Sequence, residues 1–140
     1  MLISYSDLCK TFDLKVHGIL HIGAHLCEEL QTYVNNGCSK IIWIEGDPNI
    51  YNVVKIKYPR QIIFNYLITD VDNEEVTFNH ANNGQSSSIF AFGTHEKYHP
   101  EVKFISKSKL LTKRIDTIYK DHGIDKNFAN FLNIDIQGAE

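Results

Sequence analysis

Three short apolar runs, separated by segments of helical length, constrain the fold of this chain more than any other feature. The runs lie at residues 18–23 (GILHIG), 40–45 (KIIWIE) and 62–68 (IIFNYLI). Asn36-Gly37 ends a helix predicted over residues 28–35, and Asp47 followed by Pro48 begins a second helix that runs to about Tyr58. Strand, helix, strand, helix, strand in this order means parallel pairing through right-handed crossovers. Because each run is apolar on both faces, we predict an α/β fold with a doubly wound, mainly parallel sheet.

The pattern changes after residue 70. Residues 75–79 (EVTFN) alternate like an antiparallel strand, and we expect residues 111–115 to pair with them. The lysine-rich segment over residues 103–114 is interrupted by apolar residues, which indicates the solvent-exposed face of an extended segment. Residues 116–122 are predicted to form a short helix that stops at Gly123, and residues 131–136 (FLNIDI) another buried strand.

Composition and charge argue against several classes of protein. A chain of 140 residues with 43% hydrophobic and 22% charged residues is typical of a single globular domain. Its formal net charge of −3 argues against a general binder of nucleic acid or membrane surfaces. No apolar run reaches membrane-spanning length, and the first 15 residues are too polar for a secretory signal. The three cysteines include no CxxC pair, so we expect reduced thiols and a cytoplasmic location.

Polar side chains follow the predicted strands at the edge where an open α/β sheet binds its ligand. They occur at residues 21–25, 45–47 and 135–140, beyond the carboxyl ends of three strands. Glu45 follows the turn glycine, Gly23, by about 20 residues, the spacing at which an acid accepts hydrogen bonds from ribose hydroxyls. The sequence therefore predicts a cofactor that contains adenosine.

The residues of the first turn decide which cofactor that is. In a dinucleotide-binding turn the later glycines would fall at His25 and Glu28, where a carboxylate would repel a phosphate. S-adenosylmethionine carries a cationic sulfonium and ammonium instead of a phosphate, so nearby acids favour it. Glu28 and Glu29 have two interpretations that stay open. They could contact the cofactor, or they could stabilise the first turn of the helix by about 0.3–1 kcal/mol each.

Six motifs occur in an order and at spacings that match a known family. They are HIGAH (21–25), IWIEGDP (42–48), NYLITD (65–70), NNGQSSSIF (82–90), RIDTIYKDHG (114–123) and FLNIDIQGAE (131–140). With these motifs the chain resembles the FkbM family of S-adenosylmethionine-dependent methyltransferases from about Gly18 to Glu140. The resemblance implies the Rossmann-like sheet of class I methyltransferases and S-adenosylmethionine as the cofactor. It also implies a hydroxyl acceptor on a sugar or small natural product, with no nucleic-acid or membrane partner.

The resemblance further implies roles for individual residues. Gly23 and Ala24 match the turn against the methionine part of the cofactor, whereas His21 and His25 stand where the family more often has Asp and Asn. Cys27 replaces a glycine that is usual in the family, and Gln137 replaces a common Glu. The other implied cofactor residues are Glu45 on the ribose, Asp47 near the adenosine edge, Leu67 and Ile68 around the adenine ring, and Asp135 near the transferred methyl group.

A base is needed to take the proton of the acceptor hydroxyl, and Asp135 and His95 are the candidates. His95 opens an H-E-x-x-H pattern, which is typical of zinc proteases. Gly93 and Pro100 bracket that segment and leave barely two helical turns, so no metal site is predicted. The serines at residues 86–88 form either a flexible loop or the rim of the substrate or cofactor site.

Family members carry further strands and helices after the GAE segment at which this sequence ends. The resemblance therefore implies one methyltransferase domain over residues 1–140 that is incomplete at its C-terminus. Its last strand, apolar on both faces, would be an exposed edge at which we expect homo-oligomerisation. Two hypotheses stay open: a methyltransferase, or a non-catalytic remnant that binds a nucleoside or acts through this edge as an interaction module.

Overall fold

The computed structural model describes residues 3–84, 86–90, 98 and 101–137. No helix in these ranges is long and apolar enough to cross a membrane. The helices are α1 (Tyr5–Thr11), α2 (Leu30–Asn35), α3 (Pro48–Lys57) and α4 (Ile115–Asp121). The strands are β1 (Ile19–Ile22), β2 (Ile41–Glu45), β3 (Ile62–Asn65), β4 (Leu67–Ile68), β5 (Glu75–Ala81), β6 (Phe104–Lys113) and β7 (Phe131–Ile134).

A four-stranded sheet in the order β3-β2-β1-β7 forms the centre of the fold, and its strand pairs are all parallel. Side chains alternate between its two faces. Ile19 and Trp43 pack on one face with residues of α1, α2 and α3. Leu20 and Ile22 pack on the other face with Ile118 of α4. The predicted α/β fold with a mainly parallel sheet and helices on both faces is therefore confirmed.

A smaller sheet in the order β4-β6-β5 lies beside the first. β5 and β6 are antiparallel, with Glu75 opposite Leu111, so the strand over residues 75–79 does pair with a later antiparallel strand as predicted. The partners of β5 are residues 104–111 rather than 111–115, because Thr112 and Lys113 pair with β4 and Ile115 begins α4. β6 begins at Phe104 and is therefore longer than the segment predicted over residues 111–115. Lys107 and Lys109 within it are exposed, so the interpretation of the lysine-rich segment as a solvent-exposed extended face is also confirmed.

The third apolar run does not form one strand over residues 62–68, as predicted, but two. β3 ends at Asn65, and the two residues of β4 pair with β6 in the smaller sheet. The side-chain amide of Asn65 donates to the backbone carbonyls of Glu45 and Gly46, at 2.7 and 3.3 Å. These side-chain bonds compete with the strand ladder and end it. The chain then turns across the carboxyl end of β2.

Helix α2 begins at Leu30, so the prediction that Glu28 and Glu29 lie in its first turn is wrong. His25 and Cys27 have φ angles of +42° and +55°, in the left-handed region that a right-handed helix cannot contain. Glu29 is the N-cap residue, and its side chain makes no capping hydrogen bond. The carboxylate of Glu28 therefore requires an explanation other than stabilisation of the helix.

Candidate functional site

Two connected clefts lie at the carboxyl ends of β1, β2 and β7, where the strand order changes direction and open α/β sheets bind their ligands. Both clefts are lined by Gly23, His25, Asp135 and Gln137. We name them after their other lining residues. The apolar cleft adds Glu45, Tyr66, Leu67, Ile68, Phe78 and Ile89, and the acidic cleft adds His21, Ala24, Glu28, Glu29, Tyr33 and Ser86.

Gly23 makes the tight turn between β1 and the clefts. Its φ is +85°, and its N–H and that of Ala24 both donate to the carbonyl oxygen of Ile44, at 2.9 and 3.0 Å. A Cβ atom on Gly23 would lie 1.9 Å from the backbone carbonyl oxygen of Asp135. The close approach of the chain after β7 thus requires glycine here, independently of any ligand.

Glu45 ends β2 with its carboxylate at the apolar cleft. The side chain is only 8% exposed, and each carboxylate oxygen accepts a backbone hydrogen bond. The N–H of His25 donates to Oε2 at 2.7 Å, and the N–H of Asp47 donates to Oε1 at 2.8 Å. Burial raises the pKa of Glu45, and these N–H groups offset part of that rise. Each oxygen keeps a lone pair with which it could accept a ligand hydroxyl.

Glu28 fixes the turn and gives the acidic cleft a negative charge. Its Oε1 lies 2.6 Å from Nδ1 of His25, and its Oε2 accepts the N–H of Leu26 at 3.1 Å. Burial alone would raise the pKa of Glu28, but these hydrogen bonds outweigh burial and hold the pKa low. Burial and the neighbouring carboxylates of Glu28 and Asp135 raise the pKa of Glu29. Three carboxylates therefore share one cleft.

His21 lies mostly in the core and contributes one edge to the acidic cleft, with 3% of its surface exposed. Its Nδ1 is 3.0 Å from the hydroxyl of Tyr33, which also accepts from Nδ2 of Asn133 at 2.7 Å. Because Asn133 donates to this hydroxyl oxygen, the hydroxyl hydrogen is available to His21. Burial lowers the pKa of His21 to about 4, so the ring is neutral near pH 7.

This buried, neutral histidine predicts a loss of stability in mild acid. The pKa of His21 is lower in the folded protein than its ordinary value of 6.5, so protons bind the unfolded chain preferentially. The contribution of His21 to the free energy of unfolding should fall by about 3 kcal/mol as the pH drops from 6.5 to 4. Urea unfolding across this range measures the slope. A His21→Asn variant, whose amide oxygen can still accept from Tyr33, should lose most of that dependence, and an unchanged slope would contradict this prediction.

Asp135 follows β7 and lines both clefts. Its backbone N–H donates to the carbonyl of Ile22 at 3.0 Å, which fixes it beside the end of β1. The side-chain amide of Gln137 donates to Oδ1 of Asp135 at 2.7 Å. A glutamate at position 137 could not make this bond as an anion, because a carboxylate has no hydrogen to donate. Gln137 is thus a partner of the exposed Asp135 carboxylate.

The walls of the apolar cleft come from segments that are distant in sequence. Leu67 and Ile68, which the family resemblance places around an adenine ring, line this cleft. Tyr66, Phe78 and Ile89 line it as well, and sequence reasoning missed all three. The alternation of EVTFN placed Phe78 in a strand but gave no indication that this strand faces the apolar cleft.

The serines at residues 86–88 lie at the rim of the clefts. Ser86 lines the acidic cleft, and Ser87 and Ser88 line the apolar one. The hydroxyl of Ser88 donates to the backbone carbonyl of Gln137 at 3.1 Å, and Ser87 Oγ accepts the N–H of Ala81 at 3.0 Å. All three serines therefore line a cleft, and their role at the rim of a substrate or cofactor site stays a prediction.

One predicted site residue among those that the structure describes lines neither cleft. Asp47 lines neither described cleft, because its carboxylate caps α3 through the N–H of Asn49 at 2.8 Å and contacts Nδ1 of His80 at 2.7 Å. Its predicted place near the adenosine edge stays a prediction. His95, the second candidate base, lies outside the described residues.

The charges around the clefts suit a cation better than a phosphate. No lysine or arginine is among the described residues that line either cleft. Within the described ranges, no group of three or more His, Cys, Asp or Glu residues is arranged to hold a metal ion. Cys27 is buried in the turn, and burial together with the nearby carboxylates raises the pKa of its thiol to about 12. This thiol is therefore protonated and is not a nucleophile.

Comparison with known proteins finds the same family that the six sequence motifs resemble. The family model of the methyltransferase FkbM domain matches residues 21–140, which includes the turn after β1 and most of the residues that line the two clefts. Searches of curated proteins and of solved structures found no significant match. Because the family match covers most of the 140 residues, the chain belongs to the FkbM methyltransferase family.

Proposed function

We propose that this protein binds S-adenosylmethionine and transfers its methyl group to a hydroxyl oxygen of a small molecule or glycan. Membership of the FkbM family supports methyl transfer as the activity. The single observation that carries binding of an adenosine-containing cofactor is the carboxylate of Glu45, which two backbone N–H groups hold at the apolar cleft. A carboxylate in this position suits ribose hydroxyls, as it does in other open α/β sheets.

The two clefts fit the two chemically different parts of this cofactor. Leu67, Ile68 and Phe78 offer apolar surface for an adenine ring beside Glu45. Glu28 and Asp135 supply negative charge beyond Gly23, where the sulfonium and ammonium of the methionine part would lie. A phosphate would instead meet carboxylates with no lysine or arginine among the described lining residues, which argues against a nicotinamide dinucleotide.

The bound cofactor supplies an electrophilic methyl group on a positively charged sulfur. The residues of this chain would bind and orient the cofactor and the acceptor, and would exclude water, so that the acceptor oxygen and the methyl carbon align. Asp135 is the base we propose for the acceptor hydroxyl, because its exposed carboxylate lines both clefts. Gln137 holds one oxygen of that carboxylate and leaves the other for the acceptor. His95 stays a second candidate for the base.

Calorimetric titration tests the proposal. We expect S-adenosylmethionine and S-adenosylhomocysteine to bind with similar affinity in the micromolar range, about −8 kcal/mol, and NAD not to bind. Binding of NAD with no binding of either sulfur compound would contradict the proposal. Methyl transfer to a panel of sugars and small hydroxyl compounds, followed by mass spectrometry, would then identify the acceptor.

Self-association and location are further parts of the proposal. In the described residues β7 pairs only with β1, and Leu132 on it is 53% exposed, so we propose that its outer edge accepts a strand from a second copy. Light scattering of residues 1–140, treated as one domain, tests this, and a monomer at high concentration would contradict it. The free thiols of Cys9, Cys27 and Cys38 favour a reducing, cytoplasmic environment.

A further inference from the structure

We propose that His80, which lines neither cleft, positions the carboxylate of Glu45 for the ribose by acting through Asp47. This inference rests on the proposed function, because it assumes that Glu45 binds the ribose hydroxyls. It assigns a role in cofactor binding to a residue of the smaller sheet, 35 positions beyond Glu45.

The contact between His80 and Asp47 is buried and specific. Nδ1 of His80 lies 2.7 Å from Oδ2 of Asp47, and the two residues are 8% and 5% exposed. Because a carboxylate only accepts hydrogen bonds, Nδ1 carries the hydrogen. The other ring nitrogen, Nε2, lies 2.8 Å from the hydroxyl of Ser108 on β6. His80 thus joins the turn before α3 to both long strands of the smaller sheet.

Asp47 connects His80 to Glu45, because its side chain contacts His80 and its backbone N–H donates to Glu45. Its two carboxylate oxygens are both engaged, Oδ1 by the N–H of Asn49 and Oδ2 by His80. With the side chain held at two points, the peptide N–H of Asp47 is fixed in the direction of Oε1 of Glu45, at 2.8 Å. Without His80, the side chain of Asp47 would be held only through Oδ1. The backbone of Asp47 would then lose one of its anchors and keep the bond that its carbonyl accepts from the N–H of Tyr51, so its N–H would be held less firmly on Oε1 of Glu45.

The two oxygens of Glu45 therefore depend on different parts of the molecule. Oε2 is held by the N–H of His25 in the turn after β1, which is close to Glu45 in the large sheet. Oε1 depends on Asp47 and, through it, on His80 of the smaller sheet. Removal of His80 should thus loosen one half of the ribose contact and leave the other half intact.

Asp47, His80 and Ser108 also have the order of contacts found in a nucleophile relay. A nucleophilic serine needs a substrate beside it, and none of these three residues lines either described cleft. The contact with Glu45 is instead continuous from His80 to the cleft. Positioning is therefore the role that the geometry favours.

Two variants separate the nitrogen that contacts Asp47 from the one that contacts Ser108. In His80→Asn the amide can take the place of Nδ1 and keep a donor to Asp47. In His80→Gln the amide reaches the place of Nε2 and loses that donor. We expect His80→Gln to bind S-adenosylhomocysteine about tenfold more weakly than the wild type in calorimetry, and His80→Asn to restore most of the affinity. Equal affinity of His80→Gln and the wild type would overturn the inference.

A ribose-specific readout distinguishes positioning from a general loss of structure. In the wild type, removing either the 2′- or the 3′-hydroxyl of S-adenosylhomocysteine should weaken binding about tenfold, whereas His80→Gln should lose the preference for one of the two hydroxyls and keep the other. The control is Thr112→Val, a buried substitution in the smaller sheet that removes hydrogen bonds to Val71 and Glu74. Thr112→Val should lower stability and keep both tenfold preferences. Loss of either preference in Thr112→Val would overturn the inference.

A further variant tests the inference if His80→Gln does not fold. Asp47→Ser keeps an oxygen that can cap Asn49 but loses the contact with His80, so it should show the same loss of ribose preference. Retention of both preferences in a folded Asp47→Ser protein would contradict the inference.

If the wild type binds no S-adenosylhomocysteine, the proposed function fails and this inference with it. If the wild type binds and His80→Gln is unaffected, only the inference fails.

Discussion

Replacement of Gly23 by alanine is expected to destabilise the protein by about 4 kcal/mol, the largest stability effect that we predict. Two costs add up at this position. The φ angle of +85° is strained for any residue with a Cβ, which accounts for about 1–2 kcal/mol. The new Cβ would also lie 1.9 Å from the carbonyl oxygen of Asp135, so the chain after β7 must move. Urea unfolding monitored by circular dichroism measures the total.

Gly37 provides a matched control for this prediction. Its φ of +88° is nearly the same as that of Gly23, but a Cβ built on it meets no atom within 4 Å. Gly37→Ala should therefore cost only the strain, about 1 kcal/mol. The difference between the two variants isolates the close approach of β1 and β7. Equal destabilisation of the two variants would show that this approach does not constrain the turn.

Replacement of Glu45 by glutamine is expected to weaken the binding of S-adenosylhomocysteine by about 10- to 100-fold, the largest effect on function that we predict. The amide cannot accept at both ends, so its NH₂ group must face the N–H of either His25 or Asp47. One oxygen and the negative charge are both lost to the ribose hydroxyls. Glu75→Gln makes the same chemical change at an exposed site on β5, and calorimetry should show no effect there.

The same variant should change how stability depends on pH. Burial raises the pKa of Glu45, so the folded protein holds this proton more tightly than the unfolded chain does. The stability that Glu45 contributes is therefore present at low pH, and it is lost as the pH rises from about 4.3 through the folded-state pKa. The stability of the wild type relative to Glu45→Gln should fall over this interval. A relative stability that rises with pH instead would contradict this account of the carboxylate.

The fold could be predicted from the sequence wherever its signals were local. The apolar runs of β1 and β2, the Asp47-Pro48 helix start and the stop at Gly123 depend on neighbouring residues, and all four are confirmed. The split between β3 and β4 depends on Asn65, whose amide bonds to the end of β2. It also depends on pairing with residues 112–113, and neither contact leaves a local pattern.

The same limit applies to the candidate site. Glu45 and Gly23 were identified from the spacing of one motif to the next, and both line the apolar cleft. The histidine that contacts Asp47 could not be identified, because His80 and Asp47 meet only after the smaller sheet has folded against α3. The left-handed residues His25 and Cys27 shifted the helix start by two residues, since no glycine at those positions indicated positive φ.

The most direct test of the account is a crystal structure of this protein with bound S-adenosylhomocysteine. We predict that both ribose hydroxyls lie within hydrogen-bonding distance of the Glu45 carboxylate, that the adenine ring rests against Leu67 and Ile68, and that the sulfur lies past Gly23 toward Asp135. A nucleoside bound elsewhere, or a Glu45 carboxylate that points away from the sugar, would contradict the account.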